Sequence, residues 1–140
     1  MEAQVMKRNI LITGVIDSDA VNQLQNNPTL NTLYHPDCSL NKLKELIKTV
    51  EVIITRSETE ITKELIDLAP QLKVIARAAV GVANIDIEYA SKKGILVLNT
   101  PAKNTNSAAE LTIGLLIAMV RNIPQAHNKL KNGGWDRHTF

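Results

Sequence analysis

Three short stretches place charged, hydroxyl and amide groups directly after apolar runs. They are Thr55-Arg56-Ser57, residues 76–83 (ARAAVGVA) and residues 99–106 (NTPAKNTN). Together they offer two guanidinium groups, Arg56 and Arg77, along with hydroxyls, side-chain amides and small residues that let a ligand come close to the backbone. That equipment suits the binding of an anion. Arginine grips a carboxylate or phosphate through paired hydrogen bonds, and successive peptide N–H groups in a turn form an anion-binding concavity. A plainer reading is that both arginines make exposed ion pairs, which contribute little. His35, His127 and His138 are of the type used in acid–base work, but no carboxylate partner is evident for any of them. Cys38 is the only cysteine, so an intramolecular disulfide and a multi-cysteine zinc site are excluded. No basic cluster surrounds it in sequence to make it reactive.

The anion-holding stretches gain meaning from the elements before them. Apolar runs at residues 9–14 (NILITG), 29–34, 51–55 (EVIIT), 72–76 and 95–98 read as strands. Between them lie helical patterns at 17–26, 40–50, 61–68 and 87–93. Ser39 and Asp86 are expected N-caps. Pro70 closes the third helix, and Gly94 stands where a left-handed C-terminal residue is wanted after the fourth. Strands alternating with helices predict an α/β fold, a flavodoxin-like parallel sheet with helices on both faces. In such sheets ligands bind beyond the carboxyl ends of the strands, which is where all three stretches lie.

Residues 107–122 behave differently. Ser107 and Glu110 have capping-box spacing, and residues 111–120 carry no charge. Ten residues cannot span a bilayer, which needs about twenty. A helix apolar on nearly every face is expected to be buried, here against another sheet or another subunit. Arg121 and Pro124 end it, and an amphipathic piece at 125–131 follows.

Composition narrows the function. One hundred and forty residues with 44% hydrophobic and 21% charged content suit a globular domain able to bury a core. A net charge of +2, with dispersed lysines and scattered aromatics, speaks against nucleic acid. The apolar run behind Lys7-Arg8 is too short for a signal-peptide core, so a cytoplasmic location is expected. A phosphoacceptor domain would need an aspartate where Thr55 stands and an acidic pair where Gly14-Val15 stand.

The residues that close the argument are Arg56-Ser57, ARAAVGVANID (76–86), KKGILVLNTP (92–101), NSAAELTIGLL (106–116), VRNIPQA (120–126) and Gly134-Trp135-Asp136-Arg137. As a set they resemble the N-terminal part of the D-isomer-specific 2-hydroxyacid dehydrogenases, closest to the phosphoglycerate-oxidising branch. The resemblance covers almost the whole chain. It implies a substrate domain over residues 7–99. Residues 100–140 would then hold the first crossing helix and the start of a Rossmann-like NAD-binding domain, the rest of which is missing. It also implies that Arg56, Ser57, Arg77 and the backbone at Val80 and Gly81 hold the substrate's acid end, with Asn104 where substrate meets nicotinamide. The implied reaction is oxidation of D-3-phosphoglycerate or a similar 2-hydroxy acid by NAD, in serine biosynthesis. The apolar helix implies a homo-oligomer.

Two positions depart from the family pattern. Ala79 replaces a common glycine and is tolerated only if its φ is negative; Ala83 replaces a common aspartate. The six glycines, at 14, 81, 94, 114, 133 and 134, nowhere give GxGxxG, and the family's catalytic residues lie later in its sequences. The expectation is therefore no catalytic, cofactor-binding or metal-binding residue in this chain, and no turnover by these 140 residues. The alternative is a non-catalytic dimerising or regulatory module.

Overall fold

A computed structural model describes residues 7–136, 138 and 139; Arg137, quoted above, lies outside them. The chain divides into two compact units, one running to Pro101 and the other starting at Ala102.

The first unit is a five-stranded sheet. Its strands are β1 (Arg8–Thr13), β2 (Leu30–His35), β3 (Val52–Thr55), β4 (Val74–Arg77) and β5 (Leu96–Leu98). All neighbours are parallel, in the order β2-β1-β3-β4-β5. The predicted α/β parallel sheet is observed, and its strand order is the flavodoxin-like one. Helices α1 (Ser18–Gln25), α2 (Leu40–Leu46), α3 (Lys63–Asp67) and α4 (Ile87–Lys92) form the connections.

Side-chain alternation along the strands divides the core between the two faces. Leu11, Ile53 and Ile75 stand in register and are fully buried. They share a cluster with Leu43 and Ile47, with Leu65 and Ile66 of α3, and with Ala90 of α4. On the other face Ile10 and Ile12 pack with Val21 of α1 and with Val52 and Ile54. Coverage of this face is uneven. Its continuation across β4 and β5 is Val74, Ala76, Leu96 and Leu98, and the last two are 55% and 47% exposed.

Local sequence explains the helix ends. Asp17, Ser39, Thr62 and Asp86 each accept backbone N–H bonds at the start of α1, α2, α3 and α4. Gly94 takes a left-handed φ of 74° after α4, as expected. Two boundaries differ from expectation. The second helix ends at Leu46 and tightens into a 3-10 turn over Ile47–Thr49. Ile61, expected in α3, instead forms a parallel bridge with Ile85. Thr62 explains this, because its side-chain oxygen caps the helix from the following residue onward.

The second unit holds α5 (Thr105–Val120) and α6 (Ile123–Lys131). The expected capping box is not formed. The helix starts earlier than Ser107 by half a turn, Asn104 is the N-cap without a side-chain bond, and Ala108 N donates to the Asn104 carbonyl. Ser107 is thus already inside the first turn. Asn122 separates the helices in the left-handed region, φ 51°, a conformation that asparagine tolerates better than most residues. No residue of α5 is buried. Among the described residues, no helix is long and apolar enough to cross a membrane.

Candidate functional site

Strand order fixes where to look. With β1 flanked by β2 and β3, the topological switch point lies between β1 and β3, and a ligand is expected just past their carboxyl ends. A concavity of about 410 Å³ sits there, lined by Val15, Ile16, Asp17, Arg56 and Ala78. Asp17 is already committed, since Oδ1 accepts from Asp19 N at 2.9 Å and Ala20 N at 3.3 Å to cap α1.

Arg56 leaves the end of β3 and lies across the turn after β1, where Nη1 donates to the Val15 carbonyl at 2.8 Å. The close approach depends on Gly14, whose φ is 82°; a Cβ there would stand 3.1 Å from the Arg56 Cβ. Arg56 is part-buried and Ser57 beside it is exposed.

Arg77 ends β4 and is only 8% exposed. Its guanidinium donates through Nη1 to the Arg56 carbonyl at 2.9 Å and through Nε to the Gly81 carbonyl. No carboxylate pairs with it among the described residues. Asn84 reinforces the same corner by donating from Nδ2 to the carbonyls of Arg56 and Thr59. Its Oδ1 is buried without a partner among the described residues. Below them, the Thr59 hydroxyl donates to the Thr13 hydroxyl at 3.1 Å.

The turn after β4 carries the most informative pattern. Three successive carbonyls are occupied: Ala79 O by Thr100 N at 3.1 Å, Val80 O by Asn99 Nδ2 at 2.7 Å, and Gly81 O by Arg77 Nε. The N–H groups of residues 79–82 donate to nothing among the described residues. Acceptors are tied back and donors are left free, the arrangement that suits an anion. Ala79 is not among the positive-φ residues, so alanine in place of glycine costs nothing in backbone strain.

Of the residues singled out from sequence, Arg56, Arg77 and Gly81 meet through direct hydrogen bonds, and Val80 is tied in through Asn99. Asn104 belongs to the second unit, where it is exposed at the start of α5. Three contributors escaped sequence reasoning: Gly14, Asn84 and Asn99. Asn99 lay inside a quoted stretch, directly after β5, but nothing in its spacing marks which carbonyl it would reach. Among the described residues no cluster of histidine, cysteine, aspartate and glutamate could hold a metal. The Cys38 thiol, pushed up by burial, lies apart from this corner beside Tyr34 and Lys42.

Comparison with known proteins identifies the family to which this fold belongs. The family profile described as D-isomer specific 2-hydroxyacid dehydrogenase, catalytic domain, matches residues 10–134. D-3-phosphoglycerate dehydrogenase of Methanocaldococcus jannaschii is 44% identical over 131 residues, 94% of this chain and 25% of that protein. The Rattus norvegicus enzyme of the same name is 41% identical over 133 residues, 95% of this chain and 25% of its own length. The chain thus spans about a quarter of these relatives. Among solved structures, D-lactate dehydrogenase from Aquifex aeolicus, complexed with NAD and lactic acid, superposes with a TM-score of 0.82 at 27% identity. The match covers 94% of this chain and 39% of that one. On the profile match and these identities, the chain belongs to the D-isomer-specific 2-hydroxyacid dehydrogenase family.

Proposed function

We propose that this chain is the acid-binding portion of an NAD-dependent oxidoreductase that converts D-3-phosphoglycerate, or a similar 2-hydroxy acid, to the 2-oxo acid. One observation carries the reading: residues 79–82 present unused N–H groups while every carbonyl from Ala79 to Gly81 is tied back. The free donors take the substrate carboxylate, and Arg56 and Ser57 take a second polar group of the same acid. Asn104 contributes from the start of α5, and residues 100–140 hold the first crossing helix and the start of the cofactor domain. Family membership and the D-3-phosphoglycerate dehydrogenase relatives support the substrate class. The lactic acid complex of a structural relative shows how wide that class is.

NAD supplies hydride acceptance in the proposed reaction. The residues present do not fit its pyrophosphate by the usual glycine turn, because no GxGxxG occurs among the six glycines. The chain's own contribution is to bind and orient the acid. Turnover by these 140 residues is not expected. Purified chain mixed with NAD and D-3-phosphoglycerate should give no rise in NADH absorbance.

The positive test is titration of the 15N-labelled chain with D-3-phosphoglycerate. Amide resonances of residues 79–82 and Ser57 should move in a saturable way, and Arg56→Ala should weaken the response about tenfold, as expected when a charge-assisted hydrogen bond is lost. Unmoved resonances at millimolar acid would remove the reading.

A second reading, a dimerising module without catalysis, draws on α5. Leu111, Leu115 and Met119 are 63%, 62% and 68% exposed, and an apolar patch of this kind drives association. Homo-oligomerisation through α5 is compatible with both readings. Co-purification with a complete dehydrogenase subunit and no response to acid would favour the second.

A further inference from the structure

We infer that Arg77 is a positioning residue, acting with Asn99 to preset the peptide donors that meet the acid, and that Val82 N–H is one of those donors. The inference rests on the proposed acid-binding role of the 79–82 turn. It starts from peptide planarity: in a trans peptide the carbonyl of one residue and the N–H of the next point in opposite directions from one rigid plate. Holding a carbonyl therefore aims the following N–H.

Applied along the turn, this assigns each donor its holder. Thr100 N fixes the Ala79 carbonyl and so aims Val80 N–H. Asn99 Nδ2, 2.7 Å from the Val80 carbonyl, aims Gly81 N–H. Arg77 Nε holds the Gly81 carbonyl and aims Val82 N–H. The same guanidinium, through Nη1 at 2.9 Å, makes the shortest bond to the Arg56 carbonyl, which also accepts from Asn84 Nδ2 at 3.2 Å and the Thr55 hydroxyl at 3.3 Å, and so helps to aim Ser57 N–H in the neighbouring turn. None of the four aimed N–H groups has a partner among the described residues.

Arg77 is suited to this by burial and shape. At 8% exposure its guanidinium is largely withdrawn from solvent, and its planar fork reaches two carbonyls on different turns at once, which a lysine ammonium on a flexible stem does not do in fixed geometry. It also leaves an uncompensated positive charge behind the donors, since no carboxylate pairs with it among the described residues. Arg56, which is more exposed, is left as the arginine that touches the ligand.

The test uses the full 140-residue chain, 15N-labelled, with Arg77→Lys and Asn99→Ala. Asn99 is exposed and outside the core, so its variant keeps the inference testable if Arg77→Lys fails to fold. Without ligand, Asn99→Ala should lower the backbone order parameter and move the amide shift at Gly81 more than at Val82. Arg77→Lys should do so at Val82 and Ser57 more than at Gly81. Titrated with D-3-phosphoglycerate, each should bind about 3- to 10-fold more weakly, as expected for one lost hydrogen bond acting at second hand. Unchanged order and shifts at residues 57 and 80–82 in the free variants would overturn the positioning role. If the variants loosen the turn as described but wild type ignores the acid, the functional reading fails while the positioning role stands. Equal affinity of Arg77→Lys and wild type, with a loosened turn, would overturn the link between the two.

Discussion

At the scale of single residues, the site depends on a glycine that touches no ligand. Gly14 holds φ at 82°, and an added Cβ would meet Arg56 Cβ at 3.1 Å and Glu58 Oε2 at 3.2 Å. A left-handed backbone costs a non-glycine residue about 1–2 kcal/mol, and the contact adds to that by pressing on Arg56, the residue proposed to grip the acid. Gly14→Ala should therefore lower the unfolding free energy by ~2 kcal/mol and weaken acid binding as well. Urea titration with and without D-3-phosphoglycerate measures both. A stable variant with normal affinity would show that Arg56 has another route to its position. Gly81 is the instructive contrast, because a Cβ there meets nothing within 4 Å. Alanine at 81 should fold normally, and any loss should appear only in binding.

A charged residue at the opposite end of the strands is one contributor to stability in acid. Glu51 receives Lys73 Nζ at 2.7 Å and Arg8 Nη1 at 2.6 Å, joining the starts of β1, β3 and β4. The hydrogen bond from Lys73, then that from Arg8, holds its carboxyl below the ordinary glutamate range. Because the folded value is the lower one, the unfolded chain takes up the proton first as pH falls. The contribution is complete above the unfolded value, about 4.3, and is lost as pH falls through the folded value. Wild type should out-melt Glu51→Gln at pH 7 and converge with it near pH 3. Parallel melting curves across that range would mean that the network is too solvated to matter, as exposed ion pairs often are.

At the scale of elements, the inner strands were the most legible because cover on both faces makes parallel strands read as apolar runs. NILITG and EVIIT contain the observed Arg8–Thr13 and Val52–Thr55 within a residue or two. Caps at Ser39 and Asp86 were legible for a similar reason, since a short oxygen-bearing side chain ahead of an apolar periodicity has few other uses. Where sequence misled, two signals competed at one place. Ser107 and Glu110 have the right spacing for a capping box, yet the helix begins at Thr105, which spends Ser107 inside the first turn. The site was legible as stretches and illegible as bonds. Arg56 and Arg77 look equivalent after their strands, and only burial separates them: one remains part-exposed, while the other turns inward onto two carbonyls. No spacing rule encodes that difference. For α5, whose apolar residues lie open along the whole helix, glutamate in place of both Leu111 and Leu115 should abolish the proposed self-association while the helix persists, because glutamate is a good helix former. Sedimentation of the double variant beside wild type checks this; an unchanged oligomer would move the interface elsewhere.

At the scale of the molecule, the core and the apolar helices belong to different units. Every fully buried apolar residue among those described lies between Ile10 and Ile95, in the unit that ends at Pro101, whereas α5 and α6 bury none. The sheet, its four helices and the corner built by Arg56, Arg77, Asn84 and Asn99 are complete within that first unit. Stability follows buried apolar area, so removal of residues 102–140 should leave it nearly unchanged. A chain ending at Pro101 should melt within a few degrees of the full chain, cooperatively, and should be monomeric where the full chain associates. It should also retain the proposed acid-dependent shifts at residues 79–82. A non-cooperative melt of the shortened chain would show that the buried core of the first unit does not hold the sheet by itself. In that case the first unit would depend on residues 102–140 for its cooperative folding.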